Sequence, residues 1–218
     1  MSNETFDEVP ALPPEPRLRV VPRAQRSDGE LIAAVLAGQA SLAAEFHDRV
    51  HPPVMRTLRG LLRGSEAEHE DLAQVAMLEM ITTLDRFRGE CPLERWASRV
   101  AAHTAFKYIR RRKAERKIFH PVELAELSIP GEERPERQLM FRGVVRRIRQ
   151  HLEQMDVNRA MAFVLHDVYG YDLEEIAQIT EASVSAAQSR LIRGRRELHL
   201  RVEQEPDLAR ALEREGEG

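Results

Sequence analysis

Between Gly170 and Leu198 the chain reads GYDLEEIAQITEASVSAAQSRLIRGRREL, and this stretch restricts the fold more than any other. Leu173, Ile176 and Ala177 recur at i, i+3 and i+4, the spacing of one helical face. Asp172 followed three residues later by Glu175 has the form of a capping box, so a helix starts there. A second apolar stripe, Val184, Ala187 and Leu191, predicts a second helix after a tight turn. That stripe turns Ser185, Ala186, Ser189, Arg190 and Arg193 outward. Small residues let a helix approach a DNA groove, and arginines offer forked donors to phosphates and guanine edges. The pattern predicts a DNA-binding helix-turn-helix; a surface hairpin with a solvated basic face is the plain alternative.

Upstream, helical periodicity is broken into segments by proline and glycine. Residues 1–27 hold Pro10, Pro13, Pro14, Pro16 and Pro22 without apolar period and read as a disordered arm. Order is expected from the capping pair Ser27-Asp28 into Leu31, Ile32, Val35 and Leu36, with Gly38 closing that helix. Leu42, Phe46 and Val50 follow, and His51-Pro52-Pro53 is expected to interrupt or restart the pattern. His47 and His51 have metal-ligand spacing, but no further His or Cys motif accompanies them, so a structural role is expected and no metal.

Ser65 to Arg88 reads as the strongest helix, with Leu72, Val75, Ala76, Leu78, Met80, Ile81 and Leu84 on it. This apolar surface is wider than one packing stripe needs. A partner could take the surplus together with Asp71, Gln74 and Glu79. Residues 87–92 form a loop broken by Gly89 and Pro92. Leu93 to Lys113 is helical again around Trp96, a core anchor.

The formal net charge is −3, which on its own does not point to nucleic acid. Its distribution does: from Arg99 to Lys117 there are eight Lys or Arg against one Glu. Residues 118–138, with Pro121, Pro130, Gly131, Pro135 and five glutamates against two arginines, read as an acidic linker. Periodicity resumes at Leu139 and fades after Leu200 into an acidic tail, 201–218. The chain therefore reads as all-α: two small helical domains, 28–117 and 139–200, joined by a flexible linker, the C-terminal one containing the helix-turn-helix. The single cysteine, Cys91, argues for a reducing compartment, and no apolar run is long enough to span a bilayer, so a cytoplasmic protein without membrane contact is expected. There is no Gly-rich phosphate loop, paired metal motif or nucleophile motif, so neither an enzyme nor a cofactor is expected.

Two separated segments, in order, carry a resemblance. The first holds Glu70-Asp71-Leu72-Ala73-Gln74-Val75, Leu84-Asp85-Arg86-Phe87-Arg88-Gly89-Glu90, Trp96 with Arg99-Val100-Ala101, and Tyr108-Ile109-Arg110-Arg111-Arg112. The second holds Gly170-Tyr171, Leu173-Glu174-Glu175-Ile176-Ala177, and Ser189-Arg190-Leu191 with Arg193, Arg195 and Arg196. In these the chain resembles the extracytoplasmic-function (ECF) sigma factors, members of the sigma-70 family of bacterial RNA polymerase subunits. The resemblance implies docking of Asp71, Gln74 and Glu79 on the clamp helices of the largest subunit of core RNA polymerase. It implies minus-ten DNA contacts by Gly89, Glu90, Cys91, Trp96, Arg99, Lys107, Arg110, Arg111 and Arg112, and minus-thirty-five contacts by Ser185, Ala186, Gln188, Ser189, Arg190, Arg193, Arg195 and Arg196. An anti-sigma factor, where one exists, would cover these docking or promoter faces.

The chain departs from the family pattern in places. Glu181 stands where a glycine is usual at the turn between the recognition helices, Ser183 where proline is frequent, and Ala186 and Gln188 where threonine and lysine are usual. Cys91-Pro92-Leu93 replaces a serine and phenylalanine pattern in the promoter loop. Fewer direct phosphate or base contacts are then available upstream. A helix-turn-helix regulator without a sigma role and a degenerate polymerase-binding adaptor are the other readings.

Overall fold

The computed structural model describes residues 26–112, 121, 135–208 and 210. Residues 1–25 of the expected disordered arm, most of the expected linker, Lys113, Arg116 and Lys117, and the end of the tail lie outside the described residues. The described chain is helical, in two groups of helices, as expected.

The first group is α1 (Asp28–Leu36), α2 (Ala40–Leu61), α3 (Glu66–Thr83) and α4 (Leu93–Arg111). Ser27 caps α1 through a capping box with Glu30. Asp28 is spent at longer range: its Oδ2 accepts from the Leu93 backbone N–H at 2.9 Å, and it pairs with Arg49. One cap thus ties the chain's first turn to the start of α4. Gly38, at φ +78°, reverses the chain after α1.

The expected break at Pro52-Pro53 does not occur; α2 runs through both prolines. An interior proline costs about 3 kcal/mol or more through its missing N–H and its ring. Burial on both sides offsets that cost. Phe46, Val50, Val54, Met55, Leu58 and Leu61 are all buried, and only a continuous helix keeps both halves of this stripe against α3 and α4. The helix expected over Ser65–Arg88 is shorter than the pattern implied: α3 gives way at Leu84–Arg86 to a 3₁₀ turn that buries Leu84. Trp96 is buried, with Phe87 edge-on at 5.5 Å.

The second group is α5 (Pro135–Gln154), α6 (Val157–Phe163), a π turn over Val164–Val168, α7 (Leu173–Ile179) and α8 (Val184–Glu203). Helix α5 begins four residues before Leu139, within the expected linker, with Pro135 at its first position, where a missing N–H costs nothing. Its apolar start, Leu139 and Met140, faces solvent, while Val144, Val145 and Leu152 are buried. Beyond Leu200, where no pattern was expected, Leu208 is buried and Glu205 pairs with Arg147 and His151 of α5. The two groups touch where α7 lies against α4.

Candidate nucleic-acid and partner interfaces

Three faces gather the candidate residues. The first lies on α3. Ser65 and Glu68 form the capping box there: Ser65 Oγ accepts from the Glu68 N–H, and Glu68 Oε2 accepts from the Ser65 N–H at 2.8 Å. Those hydrogen bonds hold the Glu68 carboxyl below the usual glutamate range. His69, Ala73, Ala76 and Met80 recur at helical spacing and face the core. The opposite side is then fixed. It exposes Val75, Leu78 and Ile81 at 52%, 64% and 54%, with Asp71 and Gln74 beside them. Glu79 faces elsewhere, its Oε1 3.0 Å from His103 Nδ1 and 3.7 Å from Lys107 Nζ of α4. The structure brings Asp71 and Gln74 together and turns Glu79 toward α4.

The second face is the loop and α4. Gly89, at φ +72°, and Glu90 are exposed at the loop tip; Cys91 is half-buried with a free thiol. Arg49 bridges Asp28 and Glu94, which raises its pKa, and this clamps the first turn of α4. Trp96 turns inward, so the outer stripe of α4 is Arg95, Arg99, His103, Lys107 and Arg110. At 1.5 Å per residue it is about 22 Å long, enough to follow several nucleotides of one strand. Arg110 and Arg112 lie over the rings of Phe106 and Tyr108, 5.6 and 5.1 Å from the centroids. Arg112 also lies 3.8 Å from Glu68, and Arg111 is exposed.

Much of this cationic stripe meets carboxylates of the second group. Arg95 donates from Nε and Nη2 to the two oxygens of Glu175 at 3.1 and 2.7 Å, and from Nη2 to the Gly170 carbonyl at 3.2 Å. Its guanidinium stacks 5.0 Å from the Tyr171 ring centroid. The hydrogen bond with Glu175 raises the Arg95 pKa. Arg99 lies 3.8 Å from the same carboxylate. Glu181 lies 3.2 Å from His103, 3.7 Å from Lys107 and 3.7 Å from Arg110. The contact with His103, and then the nearby positive charges, hold its carboxyl below the usual range. Sequence patterns missed Arg95, His103 and Glu175 as a group. Their only local trace was Glu181 at a turn that favours glycine.

The third face is the helix-turn-helix. The Asp172–Glu175 capping box forms as expected. Thr180 donates to the Ile176 carbonyl at 2.7 Å, and Glu181 closes the turn in the left-handed region, φ +49°. For a residue with a Cβ this conformation costs about 1–2 kcal/mol, comparable to what its three exposed ion pairs, each worth ~0–1 kcal/mol, return. Ser183 caps α8, its Oγ accepting from the Ala186 N–H at 3.2 Å. The buried stripe of α8 is Ala187, Leu191, Gly194 and Leu198; Val184, expected on it, is 44% exposed because the stripe starts one turn later.

Ser185, Gln188, Ser189, Arg193 and Arg196 are exposed, and Ala186 is half-buried. Arg190 is half-buried and donates to Thr180 Oγ1 at 3.4 Å. Arg195 is held away from them: its Nε donates to Asp167 Oδ2 at 3.0 Å, and its Nη2 lies 3.1 Å from His166 Nδ1. Gly194 was missed by pattern reading. A Cβ there would meet the Arg159 carbonyl oxygen at 2.7 Å, so α8 sits directly on the backbone of α6.

Among the described residues there is no group of three or more His, Cys, Asp or Glu that could hold a metal ion. His47 and His51 stack at 4.9 Å, and His51 lies 3.2 Å from Glu70. Nor is any described helix long and apolar enough to cross a membrane.

Comparison with known proteins matches two regions of the chain. Residues 46–115 match the family description Sigma-70 region 2, and residues 146–198 match Sigma-70, region 4. Together the two matches span more than half of the chain. The chain is 29% identical over 176 residues to the ECF RNA polymerase sigma factor SigM of Mycobacterium tuberculosis, covering 81% of this chain and 85% of that protein. It is 25% identical over 139 residues to the ECF RNA polymerase sigma-E factor of Escherichia coli K12, covering 61% and 73%. Among solved structures, CnrH in complex with the cytosolic domain of CnrY superposes with a TM-score of 0.49 at 19% identity, over 82% of this chain and 98% of that one.

Proposed function

Because the chain belongs to the sigma-70 family of RNA polymerase subunits, within its extracytoplasmic-function group, we propose a division of its sigma role among the three faces. As a sigma factor it binds core RNA polymerase and directs promoter recognition, promoter melting and transcription initiation. The exposed side of α3 docks on the clamp helices of the largest subunit: Val75, Leu78 and Ile81 give up water against an apolar surface, and Asp71 and Gln74 fix the register from its edge. Glu79 acts indirectly, by orienting His103 and Lys107.

The loop from Gly89 to Cys91 receives an unstacked base of the non-template strand at the minus-ten element. Arg99, Lys107, Arg110, Arg111 and Arg112 hold the phosphates on either side, and Trp96 supports the loop from within. Ser185, Ala186, Gln188 and Ser189 face the major groove of the minus-thirty-five element with Arg190, Arg193 and Arg196. Arg195 contributes less there because Asp167 holds it. The segment between α4 and α5 joins the modules and allows both elements to be engaged at once, each weak contact gaining from the effective concentration set by the other. The chain contributes binding and positioning; bond formation belongs to the polymerase, in the cytoplasm.

The observation that carries this reading is the coexistence on one compact unit of an exposed apolar face on α3 and a cationic, aromatic-backed face on α4. The test is co-purification of the full chain with core RNA polymerase, followed by mapping of transcript starts after its induction. A stoichiometric complex and a shared motif upstream of the new starts are expected. A chain that never joins core polymerase refutes the assignment, and one that joins it without any new starts is a polymerase-binding adaptor.

A further inference from the structure

We propose that the helix-turn-helix module latches the free chain shut by placing Glu175 and Glu181 on the strand-binding stripe of α4, where they stand in for DNA phosphates. The inference rests on the assignment of that stripe to promoter DNA and adds a means of regulating it.

The geometry is that of a bound polyanion. Carboxylate oxygens of one helical hairpin meet Arg95, Arg99, His103, Lys107 and Arg110 in succession along α4. Glu175 takes both donors of the Arg95 fork, the geometry in which a guanidinium reads a phosphate. It is itself buried and doubly committed, since its Oε2 also accepts from the Asp172 N–H that opens α7. Access is closed as well as charge. A cleft of about 170 Å³ between the modules is walled by Trp96, Arg99, Val100 and His103 on one side and Gln178 and Ile179 on the other, so α7 covers the face that a strand would use.

Glu181 distinguishes this latch from a chance contact. A left-handed turn favours glycine, yet the chain places there a carboxylate that reaches three groups of the other module. Backbone strain opposes those contacts, so the latch is shallow. A competing row of phosphates, or a partner that seizes either module, opens it. Screening also weakens exposed ion pairs: the Debye length falls from about 10 Å at 0.1 M salt to about 3 Å at 1 M.

The test uses the full chain without polymerase. Donor and acceptor dyes are placed on cysteines at Ala43 and Gln204 in a Cys91→Ser background, and affinity is measured for a fluorescent 12-nucleotide single-stranded DNA. Three forms are compared: the latched parent, Glu175→Gln/Glu181→Gln, and Glu181→Gly. Glutamine is accepted at the third position of a capping box and glycine suits the turn, so both variants keep the helix-turn-helix. The expected result is high energy transfer in the parent at 0.1 M NaCl, reduced transfer in the parent at 1 M NaCl and in both variants at 0.1 M, and about tenfold tighter strand binding by the double variant. Equal transfer and equal affinity in all three forms would overturn the latch. Because the parent's ability to join core polymerase is measured separately, such a result leaves the sigma assignment intact, whereas failure to join polymerase removes that assignment.

Discussion

Gly194→Ala and Gly143→Ala are the same chemical change in two helices, and the structure assigns them opposite signs. At Gly143 in α5, a new Cβ meets no atom within 4 Å. Alanine there removes backbone entropy from the unfolded chain, so stability should rise by about 0.5–1 kcal/mol. At Gly194 the same Cβ falls 2.7 Å from the Arg159 carbonyl oxygen and 3.3 Å from its carbonyl carbon. The obstacle is backbone in α6, whose first turn Asp156 caps through the N–H groups of Asn158 and Arg159. The helices must separate by roughly half an ångström or more, loosening Met161, Leu191 and Leu198, which are buried around the contact. Overpacking of this kind costs about 1–3 kcal/mol, and a rigid backbone obstacle places it near the top of that range. Less the ~1 kcal/mol that alanine gains in helix propensity, a net loss of about 2 kcal/mol is expected. In a module of this size that lowers the midpoint by about 4–8 °C per kcal/mol. Thermal and urea melts of the full chain, followed by circular dichroism, read both variants. A Gly194→Ala protein as stable as its Gly143→Ala counterpart would refute the close packing of α8 on α6.

Other perturbations reach the three faces. Leu78→Asp puts a charge at the centre of the exposed α3 face without touching the core; affinity for core polymerase should fall 30- to 1000-fold in a titration with labelled chain, about 2–4 kcal/mol. Reversing Arg190 and Arg193 to glutamate should abolish duplex binding at the upstream element while polymerase binding persists; unchanged promoter occupancy in a footprint would count against the α8 face. For Asp167, burial alone would raise the carboxyl, but hydrogen bonds from Arg195 and His166 outweigh it and hold the pKa below the usual aspartate range. A carboxyl depressed in the folded state gives stability that is complete above its unfolded value and is lost as pH falls through the folded value. Asp167→Asn should therefore be less stable than its parent at pH 7, with the gap in urea midpoints closing below about pH 4.

Local chemistry was the legible part of this chain. The capping box at Asp172, the turn at Gly38, the loop around Gly89 and the buried pair Ala187 and Leu191 each follow from a few adjacent residues. The continuous α2 was illegible because proline acts locally while the burial that overrides it spans the whole helix, from Phe46 to Leu61. Val184 failed for a related reason, since a stripe read from period alone does not say where the neighbouring helix begins to cover it. Within the candidate site, residues of one face could be named from motif and resemblance. Pairing between faces could not. Arg95 meets Glu175 eighty positions away and His103 meets Glu181 seventy-eight away, and no periodicity encodes such partners. Gly194 left a faint signal, an uninterrupted helix that tolerates glycine in its middle, which becomes meaningful only once Arg159 is seen against it.

Reconstituted transcription reads the sigma role of the chain directly. Core RNA polymerase, the full chain and a template carrying a promoter mapped after its induction are combined, and run-off product is measured against core alone. The expected result is a discrete transcript that requires the chain, that disappears with Leu78→Asp, and whose start site becomes reactive to permanganate as the duplex opens. A transcript equally abundant without the chain, or a chain that occupies the promoter as a symmetric footprint with no polymerase, would contradict it.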